Sequence, residues 1–231
     1  WSSGGSLNTA REGAGASGAN NSSALLFGGN PGNKTETESY NGSSWTEVSD
    51  LNTGRGYLGG QGTQTSALAF GGQNPSKVTN TELWDGSSWT EVNEMNTARA
   101  TLGSGSLTAP KSFAVGGYVT TVQSAVESWD GTSWTEVAEM NTARNGPFLS
   151  GDSSNAICSG GSVEPGVQTK AELWDGSAWT ETGDLNTARY NGGSAGTSTG
   201  ALIFGGSNQA GTRDAETESW NGSSWTEVND L

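Results

Sequence analysis

Five glutamates, Glu38, Glu82, Glu127, Glu172 and Glu218, recur along the chain in register with five arginines, Arg11, Arg55, Arg99, Arg144 and Arg189. Each arginine precedes its glutamate by 27 to 29 residues. Two more acidic columns run beside them: Glu47, Glu91, Glu136, Glu181 and Glu227, then Asp50, Glu94, Glu139, Asp184 and Asp230. So 15 of the 24 acidic residues fall into three repeating columns. Carboxylates gathered this way can ligate a cation, share a proton, or pair with guanidinium groups. A feature copied into every repeat serves the geometry of every repeat. The expectation is therefore structural: each Arg closes a partly buried ion pair with its Glu, and hydrogen bonds fix the connector.

Catalysis needs a particular group at a particular place. The 231 residues contain no histidine, which removes histidine general bases, Ser-His triads and His-ligated metals together. Paired-carboxylate hydrolysis would have to use the irregular acids Glu12, Glu36, Asp152, Glu164, Asp214 and Glu216, which form no motif. No loop carries the Asp-x-Asp-x-Asp-Gly pattern of a calcium site. A sialidase-type Asp box places Gly two residues after Asp and Trp five after it. Here Gly86 adjoins Asp85, and Trp89 follows four residues on. A protein that is not an enzyme, with no cofactor and no metal, is expected. Cys158 is the lone cysteine, so no intrachain disulfide can form, and it is expected to be a buried filler of its apolar strand.

Composition narrows the partners. A formal net charge of −14 repels nucleic acid and anionic lipid. No apolar run reaches the ~18 residues of a membrane span, so membrane insertion is not expected. Hydrophobic residues make up only 31% of the chain, with 37 Gly, which disfavours a helical core, while ten Trp argue for a folded one. The chain opens on Trp1 rather than Met, which leads us to expect that residues upstream were removed.

The elements that position these columns are repeats. "WDGSSWTEV" at 84–92 has near-copies at 40–48, 129–137, 174–182 and 220–228. Their second tryptophans, Trp45, Trp89, Trp134, Trp179 and Trp225, are spaced by 44, 45, 45 and 46 residues. No 3.6-residue apolar period appears and Gly punctuates every unit, so the period belongs to propeller blades rather than helical arrays. Asn-Gly or Asp-Gly between two aromatic-bearing segments is the strongest short hairpin signal, because the favoured turns need φ > 0. Each unit reads as four strands: a small-residue strand after Arg, an apolar strand ending in Gly-Gly, a Glu-x-aromatic strand, and Trp-Thr-Glu-Val. Five units give an all-β, five-bladed β-propeller, each blade a four-stranded antiparallel meander. The blades span approximately 8–51, 52–95, 96–140, 141–185 and 186–231. Residues 1–7 form a surplus segment in the register of the last blade's outer strand, which in a closed ring would bring Leu231 beside Asn8.

Gly28-Gly29, Glu38-Ser39-Tyr40 and Trp45, repeated in all five units, resemble the kelch repeat. The resemblance covers nearly the whole chain. It implies a β-propeller, usually of six or seven blades, that serves as a protein-binding platform. Kelch-type copper oxidases need a Tyr–Cys pair and His ligands, so that activity is excluded. Similar highly regular repeats in bacterial and phage proteins imply a microbial or viral source and an extracellular or virion surface.

Function is expected where the symmetry breaks. From Gly-Gly to Trp the distances are 16, 17, 17, 18 and 19 residues, whereas from Trp to the next Gly-Gly they are 27, 28, 27 and 27. Length therefore varies mainly in the loops between strands two and three: Asn30–Thr37, Gln73–Thr81, Tyr118–Ala125, Ser162–Ala171 and Ser207–Thr217. Loops tolerate variation and carry function. The expected binding face holds Asn30, Gln73, Tyr118, Ser162 and Ser207, together with Tyr57, Phe148 and Tyr190 just after the repeat arginines. These aromatics are either plugs of the axial channel or anchors for a partner. The expectation is a monomeric interaction scaffold for a protein or host surface. A multivalent glycan binder and a structural component of a larger, possibly viral assembly are the alternatives. Exposed tryptophans would favour the glycan binder. The Asn-x-Ser/Thr sequons at Asn20, Asn21, Asn33, Asn41 and Asn221 are expected by chance in so Asn-, Ser- and Thr-rich a chain, and Asn41 and Asn221 read as turn residues.

Overall fold

The computed structural model describes residues 1–105, 108–163 and 165–231. Its strands form a five-bladed β-propeller of small antiparallel meanders. The first blade comprises Gly15–Asn20, Ser23–Phe27, Thr37–Tyr40 and Trp45–Val48. The second has Gly59–Gly62, Ala67–Phe70, Thr81–Trp84 and Trp89–Glu91. The fourth and fifth repeat the plan, from Phe148–Asp152 to Trp179–Thr182 and from Gly193–Thr197 to Trp225–Val228. Among the described residues no helix is long and apolar enough to cross a membrane.

The third blade departs from the four-strand plan. It pairs Phe113–Val115, Val126–Trp129 and Trp134–Val137, and among the described residues Gly103 alone bridges to Val115 in the strand-one position. A 3-10 turn at Ala109–Lys111 leads into Phe113 instead of a tight hairpin. The backbone of Phe113 would then lack its partner, but Gln61 of the second blade supplies one. Its buried amide accepts from Phe113 N at 2.7 Å and donates to Phe113 O at 2.9 Å. A side-chain amide thus replaces one rung of a ladder, as the satisfaction of buried backbone groups requires.

Blades stack through apolar clusters. Leu25, Phe27 and Leu51 of the first blade meet Ala67, Ala69, Trp84 and Trp89 of the second, and equivalent clusters seal the next three joints. The strand-four Trp lies on the preceding blade's Phe: ring centroids are 4.8 Å apart for Phe27–Trp89 and 4.9 Å for Phe70–Trp134. The Gly-Gly doublet serves the same joints. A Cβ on Gly71 would stand 2.7 Å from the Arg99 carbonyl, and Gly72 N donates to that carbonyl at 2.8 Å. No side chain fits between a blade and the next connector. The joint between the fifth and first blades has no such cluster among the described residues. Trp1 and Leu231 are 60% and 57% exposed there.

The Asn/Asp-Gly hairpins have Gly42, Gly86, Gly131, Gly176 and Gly222 at φ between 94° and 99°. There L side chains are strained. The preceding Asn or Asp ties the turn: Asp85 accepts from Ser87 N, Ser87 Oγ and Ser88 N, each at 2.8 Å. The Ser88 amide, then the Ser87 hydroxyl and amide, lower the Asp85 pKa to about 2. Asp130 and Asp175 are lowered by the same kind of bonds. An unfolded Asp titrates near about 3.9, so these turns bind protons more weakly folded than unfolded. Their contribution is complete above about pH 4 and is lost as pH falls toward about 2. Asn41 and Asn221 make the same turn without a charge. Replacing Asp85, Asp130 and Asp175 together with Asn should therefore flatten the fall of melting temperature between pH 4 and 2. An unchanged pH profile would contradict this origin.

Candidate functional site

The Arg and Glu columns come together, and they do so inside the blades. Arg Nη2 lies 2.5, 3.2, 2.8, 2.5 and 2.8 Å from Glu Oε1 in blades one to five, with side chains at most 1% exposed. Each carboxylate is also fed by the Asn and Thr of the connector. Glu127 accepts from Asn96 N at 2.7 Å, Asn96 Nδ2 at 3.0 Å and Thr97 N at 3.3 Å. In the first blade burial alone would raise the pKa of Glu38. The Asn8 and Thr9 bonds and the Arg11 charge outweigh it and leave the carboxyl lowered. Burial pushes the Arg99 guanidinium down, while Glu127 and Glu136 pull it up. The strand-four glutamates face solvent directly across the ladder from the buried ones, Glu127 opposite Glu136. One arginine thus offsets two like charges that would otherwise repel. The connector column ties down the starts of strand three, as Thr79 Oγ1 does on Glu94 and Thr217 N on Asp230. The buried and connector columns hold connectors to blades, while the strand-four column lies exposed.

Among the described residues no three His, Cys, Asp or Glu side chains gather where they could hold a metal ion. Glu164 lies outside the described residues. Cys158 is buried, and burial pushes its thiol up to about 12, with Arg144 opposing and Glu172 adding to the shift. Because the thiolate is the reactive form, a disulfide reagent should leave the native protein unmodified and titrate one thiol after denaturation. Rapid native labelling would contradict the burial.

The symmetry breaks at the mouth of the axis. Gly13, Tyr57, Thr101, Gly146 and Asn191, each two residues after a repeat Arg, all have left-handed backbones with φ between 52° and 59°. Their amides form a chain around the axis: Tyr57 N to Gly13 O, Thr101 N to Tyr57 O, Gly146 N to Thr101 O and Asn191 N to Gly146 O. Two blades fill this position with Gly, the residue that adopts it without strain. Three do not. The Tyr57 ring lies over Gly13, and the Asn191 amide lies over Gly146. Tyr57 is 36% exposed. These residues rim a cleft of about 440 Å³ that also takes in Glu12, Ser194, Ser207 and Arg213. The loop between strands two and three of the last blade therefore opens into the same mouth as the strand-one entrances.

The expected binding residues distribute as follows. Asn30, Gln73, Tyr118, Ser162 and Ser207 each bridge to the residue after a repeat Arg, in antiparallel pairs such as Asn30 with Glu12 and Tyr118 with Ala100. They form a collar around the mouth. Lys77 Nζ sits 5.0 Å above the Tyr118 ring. Tyr190 is half-buried in the collar. Phe148 is only 2% exposed and fills the joint between the fourth and fifth blades, so it is not available to a partner. Phe148 stands four residues after its repeat Arg where Tyr57 stands two after, and as the first residue of its strand it turns into the blade.

No family model matches the chain, and no curated protein matches it. Among solved structures it is similar to the structure of YjhT, with a TM-score of 0.76 at 16% identity, covering 95% of this chain and 84% of that one. The likeness is one of fold. It supports the β-propeller, while the kelch resemblance rests on the repeated residues themselves.

Sequence reasoning missed the left-handed ring. Its signal was present: the position two after each Arg holds Gly twice and Asn once, residue types that enter this conformation most readily.

Proposed function

We propose that this protein is a non-enzymatic interaction scaffold, and that a protein partner binds the face carrying the two–three loops and the axial mouth. The observation that carries this reading is the left-handed ring. Backbone strain at a non-glycine residue costs on the order of 1 kcal/mol or more and persists where the surroundings or the function require it. Tyr57 and Thr101 accept that cost at positions where sister blades use Gly. The result is an aromatic edge, an acid, a base and several hydroxyls around one cleft. Aromatic anchors rimmed by polar groups are the usual composition of a binding centre. The opposite face bears the five near-identical hairpins beside the one–two connectors, one of which holds the 3-10 turn Ala109–Lys111.

The tryptophans favour a protein over a glycan. Eight of the ten are buried in the joints between blades, and Trp1 and Trp45 stand at the fifth–first joint rather than on the loop face. The experiment is capture of a partner from the native source by immobilised protein, run beside an array of immobilised glycans. Tyr57→Ala should lower protein capture at least roughly tenfold while the melting temperature holds, as expected for a binding anchor. Selective binding to the array, insensitive to Tyr57→Ala, would replace this reading with the glycan binder.

A further inference from the structure

The joint between the fifth and first blades lacks every contact that the other four share. Gly29, Gly72, Gly117 and Gly161 donate to the carbonyls of Arg55, Arg99, Arg144 and Arg189, but Gly206 makes no such bond to Arg11. The amide chain around the axis also stops here, since no backbone hydrogen bond joins Gly13 to Asn191. Phe204 is half-buried, whereas its counterparts Phe27, Phe70 and Val115 are fully buried. On the facing wall Tyr40 and Trp45 are half-buried, whereas their counterparts Trp84 and Trp89 are buried. The Thr217 hydroxyl is buried without a partner, although the matching Thr37 and Thr81 accept from the next blade's Trp.

What does occupy the joint is residues 1–7, and they make a blade's contacts on both sides. Trp1 packs on Phe204 at 5.1 Å between ring centroids, as Trp89 packs on Phe27. Trp1 Nε1 donates to Asn229 O, four residues past Trp225, as Trp179 Nε1 donates to Ala138 O, four past Trp134. In turn Trp45 Nε1 donates to Gly5 O, four past Trp1. Residues 1–7 therefore stand to the fifth blade as the strand four of a following blade, and to the first blade as the strand four of a preceding one.

We propose that this joint is a blade slot, filled when strands one to three of a further repeat unit of this chain's own type pair with residues 1–7 as their strand four. The occupant is set by the walls. It must supply an Arg carbonyl to Gly206, a left-handed residue between Asn191 and Gly13, and a small-residue inner strand. The fifth repeat carries all three, in Arg189, the left-handed Asn191 and Gly193–Thr197.

The test adds a second copy of residues 186–224 directly ahead of Trp1, so that Ser224 precedes Trp1 as it precedes Trp225. Amide hydrogen exchange is read in both chains. In the unmodified monomer, Gly13 and Gly206 should exchange about a hundredfold faster than Gly72 and Gly117, whose joints are closed. In the extended chain they should slow to match them, and the added copy should resist proteolysis. Protection of Gly13 and Gly206 in the unmodified chain, as a monomer or as a dimer, would overturn the proposal. So would an extended chain that does not fold, or one whose added copy is digested while residues 1–231 stay intact.

Discussion

Arg99→Ala is expected to destabilise the protein by roughly 3–5 kcal/mol, the range for removing one partner of a buried ion pair. Arg99 donates to Gly116 O at 2.9 Å, Ala125 O at 2.6 Å and Glu127 Oε1 at 2.8 Å. Truncation leaves two carbonyls and a buried carboxylate without that donor, and Glu136 across the ladder without its counter-charge. For a chain of this size each kcal/mol moves the melting temperature by about 2–4 °C. Thermal unfolding should show a fall of roughly 6–20 °C on that scale. Arg99→Lys should recover only part of it, because an ammonium cannot reach three acceptors in one plane. A melting temperature unchanged by Arg99→Ala would mean that the column is dispensable.

Trp134→Ala should cost a similar roughly 3–5 kcal/mol, through lost burial and the cavity that remains. Trp134 lies 4.9 Å from Phe70 and 5.5 Å from Trp129, and its Nε1 donates to Thr81 Oγ1 at 3.0 Å. The substitution opens the joint between the second and third blades and leaves the Thr81 hydroxyl with only its bond to Thr79 O at 3.4 Å. Trp45→Ala makes the control. It removes the same residue from the same position of a blade whose joint is only half-closed, so denaturant unfolding should find it clearly less costly. Equal losses at the two sites would mean that the fifth–first joint is as well packed as the others.

Most of the architecture was legible because it was written five times. The Asn/Asp-Gly turns, the Trp period and the Arg–Glu columns each follow from local rules that need no tertiary context, and repetition separates them from chance. What was not legible depends on single residues. In the third blade the 3-10 turn ahead of Phe113 and the Gln61 amide bonded to Phe113 were not visible, because Gln61 looked like any other polar residue of a strand. Phe148 and Tyr57 were grouped as aromatics after a repeat Arg, but they stand four and two residues after it: one begins a strand facing the next blade and the other occupies a left-handed position on the rim. At the fifth–first joint the register did announce a strand-four segment in residues 1–7, and what it could not show is that this segment contacts both walls at once.

The account holds that the repeated columns maintain the blades and that the variable loop face meets the partner. Lysine cross-linking of the captured complex tests this most directly, because the four lysines divide between the faces. Lys34, Lys77 and Lys170 lie in the two–three loops, whereas Lys111 lies at the opposite rim between strands one and two of the third blade. An amine-reactive cross-linker read by mass spectrometry should join the partner to Lys34, Lys77 or Lys170 and spare the more exposed Lys111. Cross-links concentrated on Lys111, with the loop-face lysines free, would contradict the account.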